Sequence, residues 1–273
     1  MSGRAPRPLR LASVNAASGR DLATGRVDAD RLAAAVAALG ADVVAVQEVD
    51  HLLPRSGGTD QTAVLARACG VTRGGARFAA TVHGTPGSPD TFRPAAATVP
   101  GEPSYGVAVL SRLPVLQWRE LRMAGSAARL PLVLPPGAGR RLRLVPDEPR
   151  AVVAAVVDAR APGDEAARPV TVLGTHLSFS PVRALGQLRE LRRWADDLPR
   201  PLVLLGDLNL PPGVVGRAVP WRALVAGATF PAPAPRVQLD HALGDGLGAA
   251  VGGGRVERVG GSDHRAVVVD LRL

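Results

Sequence analysis

Leu202-Val203-Leu204-Leu205-Gly206-Asp207-Leu208-Asn209 is an aliphatic run that stops at an acid and an amide two positions apart. The run fits a strand buried on both faces. Asp207 and Asn209 then point to one side of an extended segment, and Gly206 lets the backbone turn sharply between run and cluster. An Asx turn after a strand has the same sequence, so the octet gains meaning from its equivalents elsewhere. Asn15 follows Leu9 to Val14, Gln47-Glu48 follows Asp42 to Val46, and Thr175-His176 follows Val170 to Gly174. Asp240-His241 follows Val237 to Leu239, and Ser262-Asp263-His264 stands just before Ala266 to Leu271. Strand ends that each deliver an acid, amide or imidazole place one polar site on the rim of a sheet. That mix of groups suits hydrolysis at phosphorus with a hard metal ion.

Around these clusters the pattern predicts strands over 9–14, 42–47 and 76–82, with helices over 28–39 and 60–69 between them. Asp28 or Asp30 caps the first helix, Leu32, Val36 and Leu39 share its face, and Gly40 ends it; Asp60 caps the second, with Gly70 beyond. A Pro/Gly/Thr-rich loop is expected over 83–104, then short strands over 105–110, 115–122, 151–158 and 170–176. The proline- and arginine-rich stretch 123–149 reads as a long surface excursion. Ser180-Pro181 opens an amphipathic helix with Val182, Leu185, Leu188, Leu191 and Trp194 on one stripe. Strands over 202–206, 236–240, 255–259 and 266–271 complete the chain. Strands in excess of helices point to two packed sheets covered by helices.

Composition sets outer bounds. At 273 residues and 46% hydrophobic content the chain can bury a sizeable core, and no linker or repeat divides it, so residues 1–273 read as one domain. No run of 18 apolar residues or signal-like start occurs, and Cys69, the single cysteine, fits a core position in a reducing compartment. A cytoplasmic monomer is the expectation. The net charge of +9 comes from arginine alone, since there is no lysine. That excludes Schiff-base chemistry and the lysine-bearing phosphate loop. A nucleic-acid partner is permitted by the charge but not demanded, because aromatics are only 3% of the chain.

The clusters divide by chemistry. Glu48, ending an apolar strand, is a carboxylate suited to Mg²⁺ or Mn²⁺, although a surface acid beyond a strand reads the same way. Asn15 either positions Glu48, touches the metal or is a turn residue. Asp207 can orient an attacking water, and Asn209 can donate to a phosphoryl oxygen as charge builds there. Asp240 beside His264 would fix the imidazole tautomer and raise its basicity. His176 is a second imidazole at a strand end. Tyr105, the only tyrosine, opens a strand and either donates to phosphate or packs as a core ring. Arg150 is a candidate phosphate clamp among many arginines.

Taken in order, these stretches resemble the endonuclease/exonuclease/phosphatase superfamily of metal-dependent phosphoesterases. The matching segments are Ser13 to Asn15, Val46 to Val49, Tyr105 to Arg112, Glu148-Pro149-Arg150, Gly174 to Leu177, Gly206 to Asn209, Leu239 to His241 and Ser262 to His264. The resemblance implies a four-layer α/β/β/α sandwich with two packed mixed sheets and the site at one end of them. It implies that Glu48 binds the metal with Asn15 assisting and Asp263 nearby, and that Asp207 aligns water. Asn209 would hold the transition state, Asp240 would pair with His264, and Tyr105 and His176 would contact the phosphate or leaving oxygen. Abasic-site endonucleases of the superfamily carry an acid where Ala17 stands and an amide where His176 stands, which disfavours that branch. Other relatives often have a proline at the position of Ala266. The expected activity is therefore hydrolysis of a phosphodiester, of nucleic acid or of a lipid or small-molecule head group. A phosphomonoesterase and a non-catalytic nucleic-acid-binding protein are the alternatives.

Overall fold

A computed structural model describes residues 8–86, 88, 91–133, 142–160, 168–248 and 251–272. In chain order, β1 is Leu9–Asn15, α1 Ala29–Ala37, β2 Val43–His51, α2 Gln61–Ala68, β3 Ala76–His83, β4 Arg93–Pro94, β5 Ser104–Ser111 and β6 Val115–Met123. There follow β7 Ser126–Val133, β8 Leu142–Asp147, β9 Arg150–Asp158, β10 Pro169–His176, α3 Pro181–Ala195 and β11 Leu202–Asp207. The remainder are α4 Pro212–Ala218, β12 Arg222–Ala223, β13 Asp240–Asp245, β14 Val251–Arg258 and β15 Arg265–Leu271.

The strands form a seven-stranded sheet, β14-β15-β1-β2-β5-β3-β4, and a six-stranded sheet, β12-β13-β11-β10-β9-β6, with β7 and β8 paired separately. Side chains alternating along each strand sort into two environments. Leu11, Val43, Ala45, Val109, Val153, Val172, Val203 and Leu205 fill the space between the sheets. Val44, Val46, Ala108 and Val268 face outward and receive Leu32, Val36 and Leu65 from α1 and α2. Leu173, Leu202 and Leu204 face the other way and receive Leu188 and Leu191 from α3, with Val215 from α4. The result is the expected α/β/β/α sandwich. Gly174 lets the two sheets pack closely at its position: a Cβ there would meet Val109 at 2.6 Å and Ala45 at 3.0 Å.

Topology gathers the polar clusters. β1 and β2 are parallel, as are β10 and β11, each pair joined through a helix, so Asn15, His176 and Asp207 all emerge at the same end of their strands. The other pairings are antiparallel, so the strands beside them contribute their starts. Asp240 opens β13 opposite Asp207, Tyr105 opens β5 opposite Asp50, and Arg150 opens β9 two residues before the Val152–Thr175 pair. His264 immediately precedes β15, which runs antiparallel to β1.

Several details differ from the sequence reading. Asp240 begins a strand instead of ending one, because Val237 belongs to a loop bridged to Phe230. The stretch 123–149 contains the paired strands β7 and β8, and residues 134–141 within it lie outside the described residues. In α3 the buried face is Ala184, Gln187, Leu188, Leu191 and Ala195. Val182 is 82% exposed, because the helical repeat puts it roughly opposite Ala184 and Leu191. Gly206 does not turn the chain; it lies within β11, and a Cβ would meet the Thr175 carbonyl at 2.3 Å. Cys69 caps the end of α2 and is half-buried. No helix among the described residues is long and apolar enough to cross a membrane.

Candidate active site

Glu48 occupies a special place in β2. The β2–β5 ladder slips between Val46 and Val49, and Glu48 has φ of 56°. An extra residue in one strand turns a side chain out of the pleat, and the left-handed backbone carries strain for any residue with a Cβ. Asn15 Nδ2 donates to Glu48 Oε1 at 3.0 Å and to Asp207 Oδ2 at 3.1 Å. Its Oδ1 accepts from the Ala17 amide at 3.1 Å, which orients the side-chain nitrogen toward the two carboxylates. Asn15 therefore stitches the seven-stranded sheet to the six-stranded one.

The second stitch is His264. Its Nδ1 lies 2.9 Å from Asp240 Oδ2 and 3.6 Å from Asp207 Oδ2. The ring is set by the loop before it: Ser262 Oγ donates to the Asn15 carbonyl at 2.7 Å and accepts from the His264 amide at 3.1 Å. Phe230 packs against the imidazole with centroids 4.8 Å apart, and Thr229 Oγ1 accepts from the Asp240 amide at 3.2 Å. Burial disfavours the imidazolium, but the Asp240 hydrogen bond and the charges of Asp207, Asp240 and Asp263 outweigh it and raise His264 to about 10. Burial and then the neighbouring Asp240 charge raise Asp207 to about 7, against His264 and the Asn15 and Asn209 hydrogen bonds. Asp240 Oδ1 is buried without a partner. Ligand atoms of Asp207, Asp240 and His264 all lie within 4.8 Å of one another, close enough to hold an ion.

Asn209 also has a left-handed backbone, φ 52°, which asparagine accepts more readily than most residues. Its amide N–H donates to Asp207 Oδ1 at 3.0 Å, so the Asx turn considered from the sequence and the site geometry coexist. Its Nδ2 donates to the Leu177 carbonyl at 3.1 Å and lies 3.3 Å from His176 Nε2. Burial, then Arg150 and His264, push His176 well below the ordinary histidine range, so this imidazole is neutral. Tyr105 lies under the Arg55 guanidinium at 5.5 Å, and burial together with the Glu48 and Glu148 charges holds its phenol protonated. Burial raises Glu48, with the Asn15 hydrogen bond opposing and the Asp263 charge adding to the shift.

The fold thus brings Asn15, Glu48, Asp207, Asn209, His176, Asp240 and His264 into one hydrogen-bonded set. Asp263 and Arg150 join it through charge. Four contributors were missed in the sequence. Arg55 is bound to Asp50 at 2.7 Å, Glu148 is raised by burial beside Arg150, and Thr229 and Phe230 hold the Asp240–His264 pair. Only Glu148, adjoining Arg150 in a quoted segment, carried a signal; nothing marks Thr229 or Phe230 in a proline-rich loop.

Comparison with known proteins agrees with this fold. The sequence profile of the endonuclease/exonuclease/phosphatase family matches residues 12–264. Among solved structures, an endonuclease/exonuclease/phosphatase from Beutenbergia cavernae is 27% identical, with a TM-score of 0.63 over 98% of this chain and 72% of that one. The human Nocturnin catalytic domain, with bound sulfate, is 17% identical with a TM-score of 0.56, covering 98% of each chain. A mannosyl-6-phosphatase from Bacteroides thetaiotaomicron is 14% identical with a TM-score of 0.56, over 97% of this chain and 100% of that one. The last two likenesses show the fold alone. No curated protein matches the sequence.

Proposed function

Because the chain belongs to the endonuclease/exonuclease/phosphatase family, we propose that it is a divalent-metal-dependent hydrolase that cleaves a phosphodiester by in-line attack of water. The observation that carries this reading is Asp207 held between Asn15 at 3.1 Å and His264 at 3.6 Å, so that base and cation face one space. The residues fit a hard cation: Glu48 is a strained carboxylate held by an amide donor, with a second acid, Asp263, in its field. Glu48 and Asp263 would hold Mg²⁺ or Mn²⁺, with Asn15 aligning Glu48. Such an ion, when bound, would neutralise charge on the phosphoryl oxygens.

The chain's own groups divide the remaining work. Asp207, titrating at about 7, is poised to take a proton from water at neutral pH. With Nδ1 committed to Asp240, His264 presents Nε2, as part of an imidazolium, to a phosphoryl oxygen. Tyr105, kept protonated, donates to a phosphate or leaving-group oxygen. Neutral His176 accepts from Asn209, whose other side-chain N–H goes to the Leu177 carbonyl, so this amide holds the imidazole in place beside Asp207. Arg150, buried and only weakly paired with Glu148, would hold a phosphate oxygen. Site residues come from both sheets, so one domain carries the activity.

The test is hydrolysis of bis(p-nitrophenyl) phosphate and p-nitrophenyl phosphate with Mg²⁺, Mn²⁺ or EDTA, by wild type and His264→Ala. Metal-dependent diester turnover, lost in the variant, is expected. A preference for the monoester would reassign the chain as a phosphomonoesterase. Salt-sensitive DNA binding with no turnover would make it a binding protein.

A further inference from the structure

A cavity of about 640 Å³ lies where Arg150 leaves the proposed site, within the usual small-molecule range of roughly 300–1,000 Å³. Its wall includes Phe92, Pro94, Ala95, Ala96 and Met123 as well as Arg150. Two observations join it to the site. The Arg150 charge acts on Glu48, Tyr105 and His176, and Phe92 packs against the small cluster containing Tyr105.

Among the described residues, the wall's other charged groups, Arg122 and Asp147, are already engaged. Arg122 donates to Glu120, the Ala80 carbonyl and Thr98 Oγ1. Asp147 accepts from Ser178 and Arg183. Arg150 differs from both: its side chain is 5% exposed, its Nε has no hydrogen-bond partner, and its contact with Glu148 is 4.0 Å long. A buried guanidinium so weakly paired is costly until an anion completes it. The cavity therefore combines one under-partnered cation with a largely aliphatic lining.

We infer that this cavity takes the apolar alcohol portion of the substrate while Arg150 holds its phosphate, so that the enzyme favours diesters of hydrophobic alcohols over nucleic acid. The inference rests on the phosphoesterase reading above. A nucleobase would bring polar edges against wall groups whose hydrogen bonds are already made, leaving donors and acceptors unsatisfied. Among the described residues Phe92 is the one aromatic ring in the wall, too little for stacking of successive bases. A hydrocarbon chain meets neither obstacle and gains with each methylene it buries.

The experiment measures kcat/KM for methyl, butyl and hexyl p-nitrophenyl phosphate and for thymidine 5′-(p-nitrophenyl phosphate), with Mn²⁺, below any micelle concentration. Wild type should gain up to about fourfold per added methylene, the scale of burying one such group, and should favour the hexyl ester over the thymidine ester. Ala96→Trp, at an exposed wall position, should drive the hexyl-to-methyl ratio toward one. Equal turnover of methyl and hexyl esters by wild type, preference for the thymidine ester, or an unchanged ratio in Ala96→Trp would each overturn this inference alone. Failure to hydrolyse any ester would overturn it together with the phosphoesterase reading.

Discussion

Asp207 and Glu48 are both acids carried by apolar strands, yet the two sheets present them differently. The six-stranded sheet holds Asp207 in register, paired across the ladder with Asp240 and alongside His176. The seven-stranded sheet expels Glu48 on a bulge at φ 56°, and the strand then continues to His51. One acid is placed by regular pairing, the other by a local break in it. Regular pairing sets two carboxylates side by side and leaves an electrostatic problem that His264 solves. The break stores backbone strain, which points the side chain without help from a neighbouring strand.

The largest expected effect removes the acid held in register. Asp207→Ala should lower kcat by about 10²-fold or more, the scale for losing one positioned catalytic group. Circular dichroism should remain that of the wild type. Activity within a few-fold of wild type would place the base elsewhere.

At the bulge the prediction has two signs. Glu48→Gly should abolish metal-stimulated turnover yet raise thermal stability in EDTA by about 1 kcal/mol, since glycine accepts the left-handed backbone without strain and a half-buried charge is removed. A destabilised variant would show that Glu48 supports the fold through its Asn15 hydrogen bond more than it strains it.

A smaller effect concerns pH. His264 is raised to about 10, so its contribution to stability is complete below the unfolded histidine value near 6.5 and is lost as pH climbs through about 10. Wild-type melting temperature in EDTA should therefore fall across that window. In His264→Gln the fall should move to lower pH, because two adjacent buried carboxylates must then ionise with no cation between them. Superimposable profiles would remove the imidazolium from the account.

These differences also decide what could be read from the sequence. Apolar runs ending in Asn15, His176 and Asp207 announce strands whose ends share one rim, because a parallel pair must deliver both its ends together. Two packed sheets followed from the same runs. Asp240 was found as a residue but not as the start of a strand, since Val237-Gln238-Leu239 has strand composition and is bridged to Phe230 instead. The bulge at Glu48 leaves only a faint mark: Gln47 and Glu48 are two polar residues between Val46 and Val49 where a regular alternation has one, and the predicted strand stops at residue 47. The pairing of β7 with β8 depends on tertiary context, whereas a three-residue spacing followed back from Leu185 puts Val182 on the wrong side of α3. Thr229 and Phe230 act only through the Asp240–His264 pair and carry no pattern of their own.

The central claim is that one charge-coupled unit spans the two sheets, and a double-mutant cycle tests it most directly. Asp240→Ala, His264→Ala and the double variant would be compared by kcat/KM on bis(p-nitrophenyl) phosphate. The account predicts strong non-additivity, the double variant being scarcely worse than either single one. Losses that simply multiply would mean that Asp240 and His264 act independently, and would contradict it.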